Sequence, residues 1–342
     1  MGININVTDK EVGLREDLAD ILTNITPDDT PFISSIGRTK ASNVKTEWLT
    51  DTLSDAASAG ANALDEGFSA TNTSAGVPTR LTNYTQIFGK FVMVSESEIA
   101  SNPAGRSDIY QYTLQKRTKE IARDIEAACI LQSAQSSGEA SAGTGRLLAG
   151  LGLGGYPGTS GSSGSNAGWI SANYYIGTAL GLTADGNNGV SAGSARFNLT
   201  ETLLNNVLQI IWDQSGEMSN NIVFVNGYQK RVISSFSGNG TRFNSVPYTD
   251  KVLNSAVDLY YSDFGTVQLR LNRYMNATKL GVINPSYFKL GELRPLNFKP
   301  LAKDGDRERG QLVYEASLVA YAPRSGGKIQ QLASALGATV SD

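Results

Sequence analysis

The sequence predicts an α+β chain with extended appendages, and three observations carry that expectation. One is a single long amphipathic stretch, Ser107 to Gln135. A second is a pair of β-rich runs, Val44–Asp51 and Pro78–Ser95, separated by a connection built from Ala, Ser, Gly, Asn and Thr. The third is a succession of helix-like and strand-like segments from Asn198 to Ile283, which reads as a separate α+β unit.

The long stretch is helical by spacing. Leu114, Thr118, Ile121, Ile125 and Ala128 recur at three- and four-residue steps and fall on one stripe, while Lys116, Lys119, Glu120, Arg123 and Asp124 spread over the remaining surface. Ser107 or Asp108 can cap the first turn, and Ser136, Ser137 and Gly138 stop the other end. At helical rise the stretch runs roughly 40 Å, enough to act as a backbone for separate sub-domains.

Ahead of it, Thr8-Asp9-Lys10-Glu11 has capping-box spacing, and Leu14, Leu18, Ile21, Leu22 and Ile25 form the apolar side of a short helix ended by Pro27, Asp28 and Asp29. The apolar piece Thr30 to Gly37 has no partners of its own and reads as an arm. The two β-rich runs make an extended hairpin whose longer strand spans roughly 55 Å. A lone hairpin is marginal in water, so this one must lie on something. The connection from Thr52 to Val77 is longer than a compact domain ordinarily tolerates without a function for it.

After the long helix, Gly138 to Ala195 is Gly/Ser-rich, anchored by Trp169, Tyr174 and Tyr175, with turns at Asp185-Gly186 and Asn188-Gly189. Gly150, Gly152 and Gly155 match the dinucleotide-binding pattern by letter, but Pro157 and a Gly/Ser run follow where a helix would have to start, so no nucleotide is expected. Asn198, with Glu201 three residues on, starts a second helix whose Leu203, Leu204, Val207, Leu208 and Ile211 face one way. Ile222–Val225 is a short strand, Asn226-Gly227 a turn and Tyr228–Phe236 a helix; strands follow at Val257–Tyr261, Val267–Tyr274 and Lys279–Ile283. The last part opens with a hairpin signal at Asp304-Gly305, after which Leu312, Tyr314, Ala316, Leu318 and Ala320 alternate on one strand face. Asp304, Asp306 and Glu308 are interleaved with Lys303, Arg307 and Arg309, which marks a charged hairpin rather than a cation loop.

Composition excludes several functions. The 342 residues carry a formal net charge of −3, so no basic nucleic-acid module is present. Histidine is absent, which removes Ser-His-Asp and Cys-His catalysis and nearly every imidazole zinc site. Carboxylate pairs such as Asp65 with Glu66 or Asp28 with Asp29 leave a carboxylate-only hydrolase as a formal alternative, although adjacent loop acids are usually turn formers. The single Cys129 lies near the apolar stripe of the long helix and reads as a buried structural thiol. No metal or cofactor is expected, and no apolar run of membrane-spanning length or secretion signal is evident. Charged residues make up only 18%, below the roughly 25% usual for soluble proteins, which points to a surface that meets other protein.

The runs TPFISSIGRTKASNVKTEWLTDTL, EGFSA, TRLTNYTQIFGKFVMVSESE, RTKEIARDIEAACIL and KPLAKDGDRERGQLVYEASLVAY, in that order, resemble one family of major capsid proteins of tailed double-stranded DNA bacteriophages. The resemblance covers most of the chain and is weakest in the Gly/Ser-rich middle. It implies the Hong Kong 97-type fold: an N-terminal arm (1–43), an extended loop (44–95), a peripheral domain (96–196) with its spine helix at 107–135, an axial domain (197–290), and a C-terminal return to the peripheral domain (291–342). It also implies no enzyme activity, and self-assembly through hexamers and pentamers into an icosahedral shell around the genome, with the DNA contacted weakly and non-specifically. A separate scaffolding protein, a portal and a maturation protease are the implied partners, and the virion capsid, assembled in the bacterial cytoplasm, the implied location.

Within that resemblance Phe32, Trp48, Phe68, Tyr84 and Phe88 are the candidate contacts between subunits; the alternative for each is burial in its own subunit. Some relatives cross-link their shells through a loop lysine. Here no lysine lies between Lys45 and Lys90, so no such bond is expected. No long charged helical segment precedes residue 30, so the scaffold is expected to be a separate protein. An encapsulin-like nanocompartment shell and a tail-tube subunit are the alternative readings of the same sequence.

Overall fold

The computed structural model describes residues 30–51, 53, 63, 66–68, 77–101, 108–133, 135–138, 145–153, 174–176, 198–215, 218–236, 258–303, 305–330 and 332–334. The helix expected behind Thr8, most of the Thr52–Val77 connection, most of the Gly/Ser-rich segment including Trp169, and Asp304 lie outside the described residues. The elements are α1 (Pro31–Ser35), β1 (Gly37–Lys40), β2 (Lys45–Thr50), β3 (Thr79–Tyr84), β4 (Gln86–Ser95), α2 (Glu96–Ala100), α3 (Ile109–Leu131), β5 (Tyr174–Ile176), α4 (Glu201–Ser215), β6 (Asn221–Val225), α5 (Gly227–Ser234), β7 (Leu259–Ser262), β8 (Gly265–Leu271), β9 (Leu280–Ile283), β10 (Phe288–Pro300), β11 (Arg307–Ala320) and β12 (Gly327–Gln330).

The long helix is α3, capped by Asp108, whose Oδ1 accepts from the Gln111 N–H. Its expected stripe faces inward, with Ile121, Ile125 and Ala128 buried. The helix stops four residues earlier than the sequence suggests, and the cause is tertiary. The last carbonyls of any helix lack intrahelical partners. Here the segment 147–153 folds back and supplies them: the Leu151 N–H donates to Cys129 O (2.7 Å), the Leu153 N–H to Ile130 O (2.9 Å), and those of Gly150 and Gly152 to Gln132 O. Gly150 is required by this approach, because a Cβ there would sit 2.3 Å from the Cys129 carbonyl oxygen. Two glycines of the would-be nucleotide motif therefore cap the spine helix.

Helix α3 lies on one face of a four-stranded sheet ordered β1-β10-β11-β4. Phe88, Val92 and Val94 of β4 and Leu312, Tyr314, Ala316 and Leu318 of β11 are buried on the strand positions that meet it. The β10–β11 hairpin runs antiparallel from Phe288↔Ala320 to Pro300↔Gly310, with register shifts around Glu292, Arg294 and Asn297, where Pro295 interrupts the ladder.

A six-stranded sheet, ordered β5-β12-β9-β6-β8-β7, forms the second unit. Every residue of β6 is buried, because both faces of the strand are covered. Val223 and Val225 pack into a cluster with Leu204, Val207, Leu208 and Ile211 of α4. Ile222 and Phe224 point the other way, into the cluster built on α3 and the four-stranded sheet. β6 is thus the seam between the two cores.

Several expectations are corrected in detail. The run Pro78–Ser95 is two strands broken at Thr85, and they belong to different sheets. Helix α4 is capped by Thr200, whose Oγ1 accepts from the Leu203 N–H, rather than by Asn198. Asn226 is the cap of α5, its Oδ1 accepting from Tyr228 N–H, rather than part of a free turn. The C-terminal part divides: β11 lies in the four-stranded sheet, whereas β12 enters the six-stranded one between β5 and β9.

Candidate assembly surfaces

The hairpin β2–β3 pairs antiparallel from Lys45↔Tyr84 to Thr50↔Thr79 as a sheet of its own. What aims it is its root. Asn83 is fully buried; its Nδ2 donates to Ala149 O (3.0 Å) and Leu318 O (2.7 Å), and its Oδ1 accepts from Ala149 N–H (2.8 Å). Trp48, on the paired strand, donates from Nε1 to Ala320 O at 2.8 Å. Thr46 and Ser317 share a hydroxyl bond of 2.9 Å. One edge of β11 thereby receives the hairpin through three side chains.

At the break between β3 and β4 sits Glu315, a buried carboxylate. Its Oε1 accepts from Thr85 Oγ1 and from Arg146 Nη2, both at 2.7 Å, and its Oε2 from Arg294 Nε at 2.6 Å. Burial pushes this carboxyl up, but the hydrogen bonds from Thr85 and Arg294 and the charges of Arg294 and Arg146 outweigh it and hold the group below its ordinary value. A charge removed from water at this depth persists only when its lone pairs are filled, and here donors from three parts of the chain fill them. The turn from hairpin to body is pinned by that cluster.

Alternate residues of β4 face away from α3. Ile87, Phe91 and Met93 are 50%, 63% and 54% exposed, side by side on one strand, with Arg307 Nη1 3.5 Å from Met93 Sδ. Along the hairpin and its connection, Leu49, Leu53 and Val77 are also exposed. Exposed apolar side chains in rows, rather than singly, mark surfaces that meet another molecule.

Of the five candidate contact residues, the structure buries three within the chain. Phe32 packs edge-on against Phe224 at 5.9 Å, Trp48 is bonded to Ala320, and Phe88 lies 6.5 Å from Tyr314 under α3. Tyr84 is half-buried and Phe68 is 55% exposed. Sequence reasoning missed Asn83, Glu315 and Glu126; a polar residue at an apolar-phase strand position was the signal for Asn83. Exposed Phe91 and Met93 were missed because the run they belong to is apolar on both phases.

Among the described residues no group of acids and cysteine could hold a metal ion, and no helix is long and apolar enough to cross a membrane. Cys129 is fully buried, and burial pushes its thiol well up.

Comparison with known proteins agrees with this architecture. The Cyanophage A-1(L) capsid asymmetric unit matches with a TM-score of 0.66 at 12% identity, covering 93% of this chain and 97% of that one. The capsid of the native GTA particle matches with a TM-score of 0.61 at 11% identity, covering 96% and 100%. The fold is therefore that of these capsids. A major capsid protein of Escherichia phage Phieco32 is 35% identical over 124 residues, which is 36% of this chain and 34% of that protein, so the alignment spans about a third of the relative's length. The family model described as SU10 major capsid protein matches residues 3–333, nearly the whole sequence, and the chain belongs to that family.

Proposed function

We propose that this chain is the wall subunit of a closed icosahedral phage shell, assembling through hexamers and pentamers around double-stranded DNA. The observation that carries the reading is the pairing of an aimed, extended hairpin with an apolar face on β4 that the described residues leave uncovered. A hairpin root fastened by Asn83, Trp48 and Glu315 holds one direction in every copy. Repetition of one contact around a closed symmetry then adds many small interfaces.

On this reading residues 1–43 are the arm and 44–84 the extended loop. The peripheral part is built on β4, α3, β10 and β11, and the axial part on residues 198–283 with β5 and β12. Phe68 and Tyr84, joined by Ile87, Phe91 and Met93, are the contacts between copies. Burying one such side chain yields roughly 1.5–3 kcal/mol. Phe32, Trp48 and Phe88 fix the presenting elements from inside. The net charge of −3 suits a wall that encloses DNA without gripping it. A separate scaffolding protein, a portal and a protease complete the assembly, which takes place in the bacterial cytoplasm.

Electron microscopy of the protein expressed with and without its scaffolding partner tests this. Closed shells or six- and five-fold capsomers are the expected result. Particles filled with enzyme cargo would favour a nanocompartment, tubes a tail protein, and a monomer under every condition would overturn the reading. Mature particles should run as single subunits on a denaturing gel, because the loop between Lys45 and Lys90 has no lysine nucleophile.

A further inference from the structure

We propose that Glu126 is a positioning residue for shell assembly: from α3 it holds the root of the N-terminal arm and the turn after β8 in one fixed relation. The inference rests on the shell-subunit reading above and extends it to the arm.

Glu126 is completely buried in the C-terminal third of the spine helix, and donors from two distant parts of the chain converge on it. Its Oε1 accepts from the Phe32 N–H at 2.9 Å and from Asn272 Nδ2 at 2.6 Å; its Oε2 accepts from the Ile33 N–H at 2.8 Å. Phe32 and Ile33 are the second and third residues of α1, whose N-cap Thr30 makes no side-chain cap and whose first residue is Pro31. The orphan N–H groups of that first turn are therefore satisfied by a carboxylate 94 residues away in sequence.

Asn272 is itself fixed. Its N–H donates to Val225 O, at the end of β6, and its Oδ1 accepts from Tyr274 N–H. The Phe32 ring completes the joint by packing against Phe224 of that same strand. Arm root, spine helix and six-stranded sheet thus share one carboxylate at the seam between the two cores.

The chemistry requires an acceptor on both sides. A glutamine would turn an NH2 group toward either the Ile33 N–H or the Asn272 amide, leaving donors opposed and unpaired in a dry site. α1 starts at this joint, so the joint fixes the place of Thr30 and α1 in every copy. Contacts between copies close into a shell only if the rotation between them is constant, and a loosened arm root would yield open or mixed forms.

The test compares Glu126→Gln with Tyr274→Phe in the full chain. Tyr274→Phe removes the 2.9 Å bond from Arg123 Nε, one helical turn away, and so weakens the same helix-to-turn contact without touching the arm root. For Glu126→Gln, hydrogen exchange in residues 30–36 of the soluble subunit is expected to speed up on the order of tenfold or more. Its particles, grown with the scaffold, are expected to be open or of mixed diameter, whereas Tyr274→Phe gives shells of wild-type diameter.

Unchanged exchange at 30–36, shells of wild-type diameter from Glu126→Gln, or equal misassembly by Tyr274→Phe would each overturn the proposal. If Glu126→Gln does not fold, Glu126→Asp keeps the charge and shortens its reach to the Phe32 and Ile33 N–H groups by one methylene: faster exchange at 30–36 together with mixed particles supports the clip, and either one unchanged overturns it. Failure of the wild-type chain to form any shell would count against the shell reading alone, and the exchange result on soluble subunits would still decide whether Glu126 holds the arm root.

Discussion

Asn83 and Ala149 exchange a reciprocal pair of hydrogen bonds, Nδ2 to carbonyl at 3.0 Å and amide N–H to Oδ1 at 2.8 Å, as though the side chain were one more residue of a strand. The same Nδ2 reaches Leu318 O. One side-chain amide therefore joins the hairpin, the segment that caps the spine helix, and the central strand of the four-stranded sheet. Asn83→Ala leaves these buried partners unanswered and is expected to cost about 2–3 kcal/mol. Asn83→Asp is expected to cost more at neutral pH, since a carboxylate would face two carbonyl oxygens. Thermal unfolding of the unassembled subunit measures both, and a loss under 0.5 kcal/mol for Asn83→Ala would remove this joint from the hairpin's support.

Glu315 predicts an acid-sensitive hairpin root. Its carboxyl is held below the ordinary carboxylate value in the folded chain, so it contributes stability above the unfolded value of 4.5 and loses that contribution as pH falls through the folded one. Glu315→Gln should destabilise the subunit at pH 7, because Arg146 and Arg294 lose their counter-charge. It should also flatten the dependence of urea midpoint on pH below 4.5. A parallel acid limb in wild type and variant would assign that limb to other carboxylates.

Lys279 and Lys328 predict a slope of the same sign in the neutral-to-alkaline range. Burial lowers them to about 8 and about 7 from 10.5, and the charge of Lys279 adds to the effect on Lys328. The unfolded chain therefore binds these protons more tightly than the folded one, and stability rises with pH from about 7 upward. Ionisation of tyrosines in the unfolded chain opposes this above about 10, because folded Tyr260 is pushed up to about 12. Melting temperature should increase between pH 6.5 and 9. Lys328→Met should raise it most at the low end and reduce the slope. A variant with the wild-type slope would show that the ammonium is compensated within the fold.

The spine helix was legible because its stripe is periodic: Ile121, Ile125 and Ala128 follow from spacing alone. Glu126 was not, because a carboxylate adjacent to that stripe is indistinguishable from Glu120 or Asp124 until Phe32, Ile33 and Asn272 arrive from elsewhere in the chain. The helix end was misplaced for a related reason, since the carbonyls of Cys129 and Ile130 are taken by Leu151 and Leu153 rather than by local capping. Thr85 breaks an apparently continuous strand because Glu315, 230 residues on, holds its hydroxyl. Local periodicity specified the elements; the joints between them depend on single polar contacts of high sequence separation, which carry no local pattern.

Phe91 separates folding from assembly, because it and Phe88 lie three residues apart on β4 and face opposite sides. Phe88 is 6% exposed beneath α3, so Phe88→Asp places a charge in the core and should abolish folding. Phe91 is 63% exposed, and Phe91→Asp should change subunit stability by less than about 0.5 kcal/mol. In a shell, however, each copy repeats the contact, so a loss of roughly 1.5–3 kcal/mol per ring is incurred at every interface, together with the desolvation of a new carboxylate. The expected outcome is a soluble subunit with wild-type melting and few or no particles by size-exclusion chromatography and microscopy. Normal shells from Phe91→Asp would mean that this face of β4 looks onto solvent in the particle, and that the contacts between copies lie on the hairpin alone.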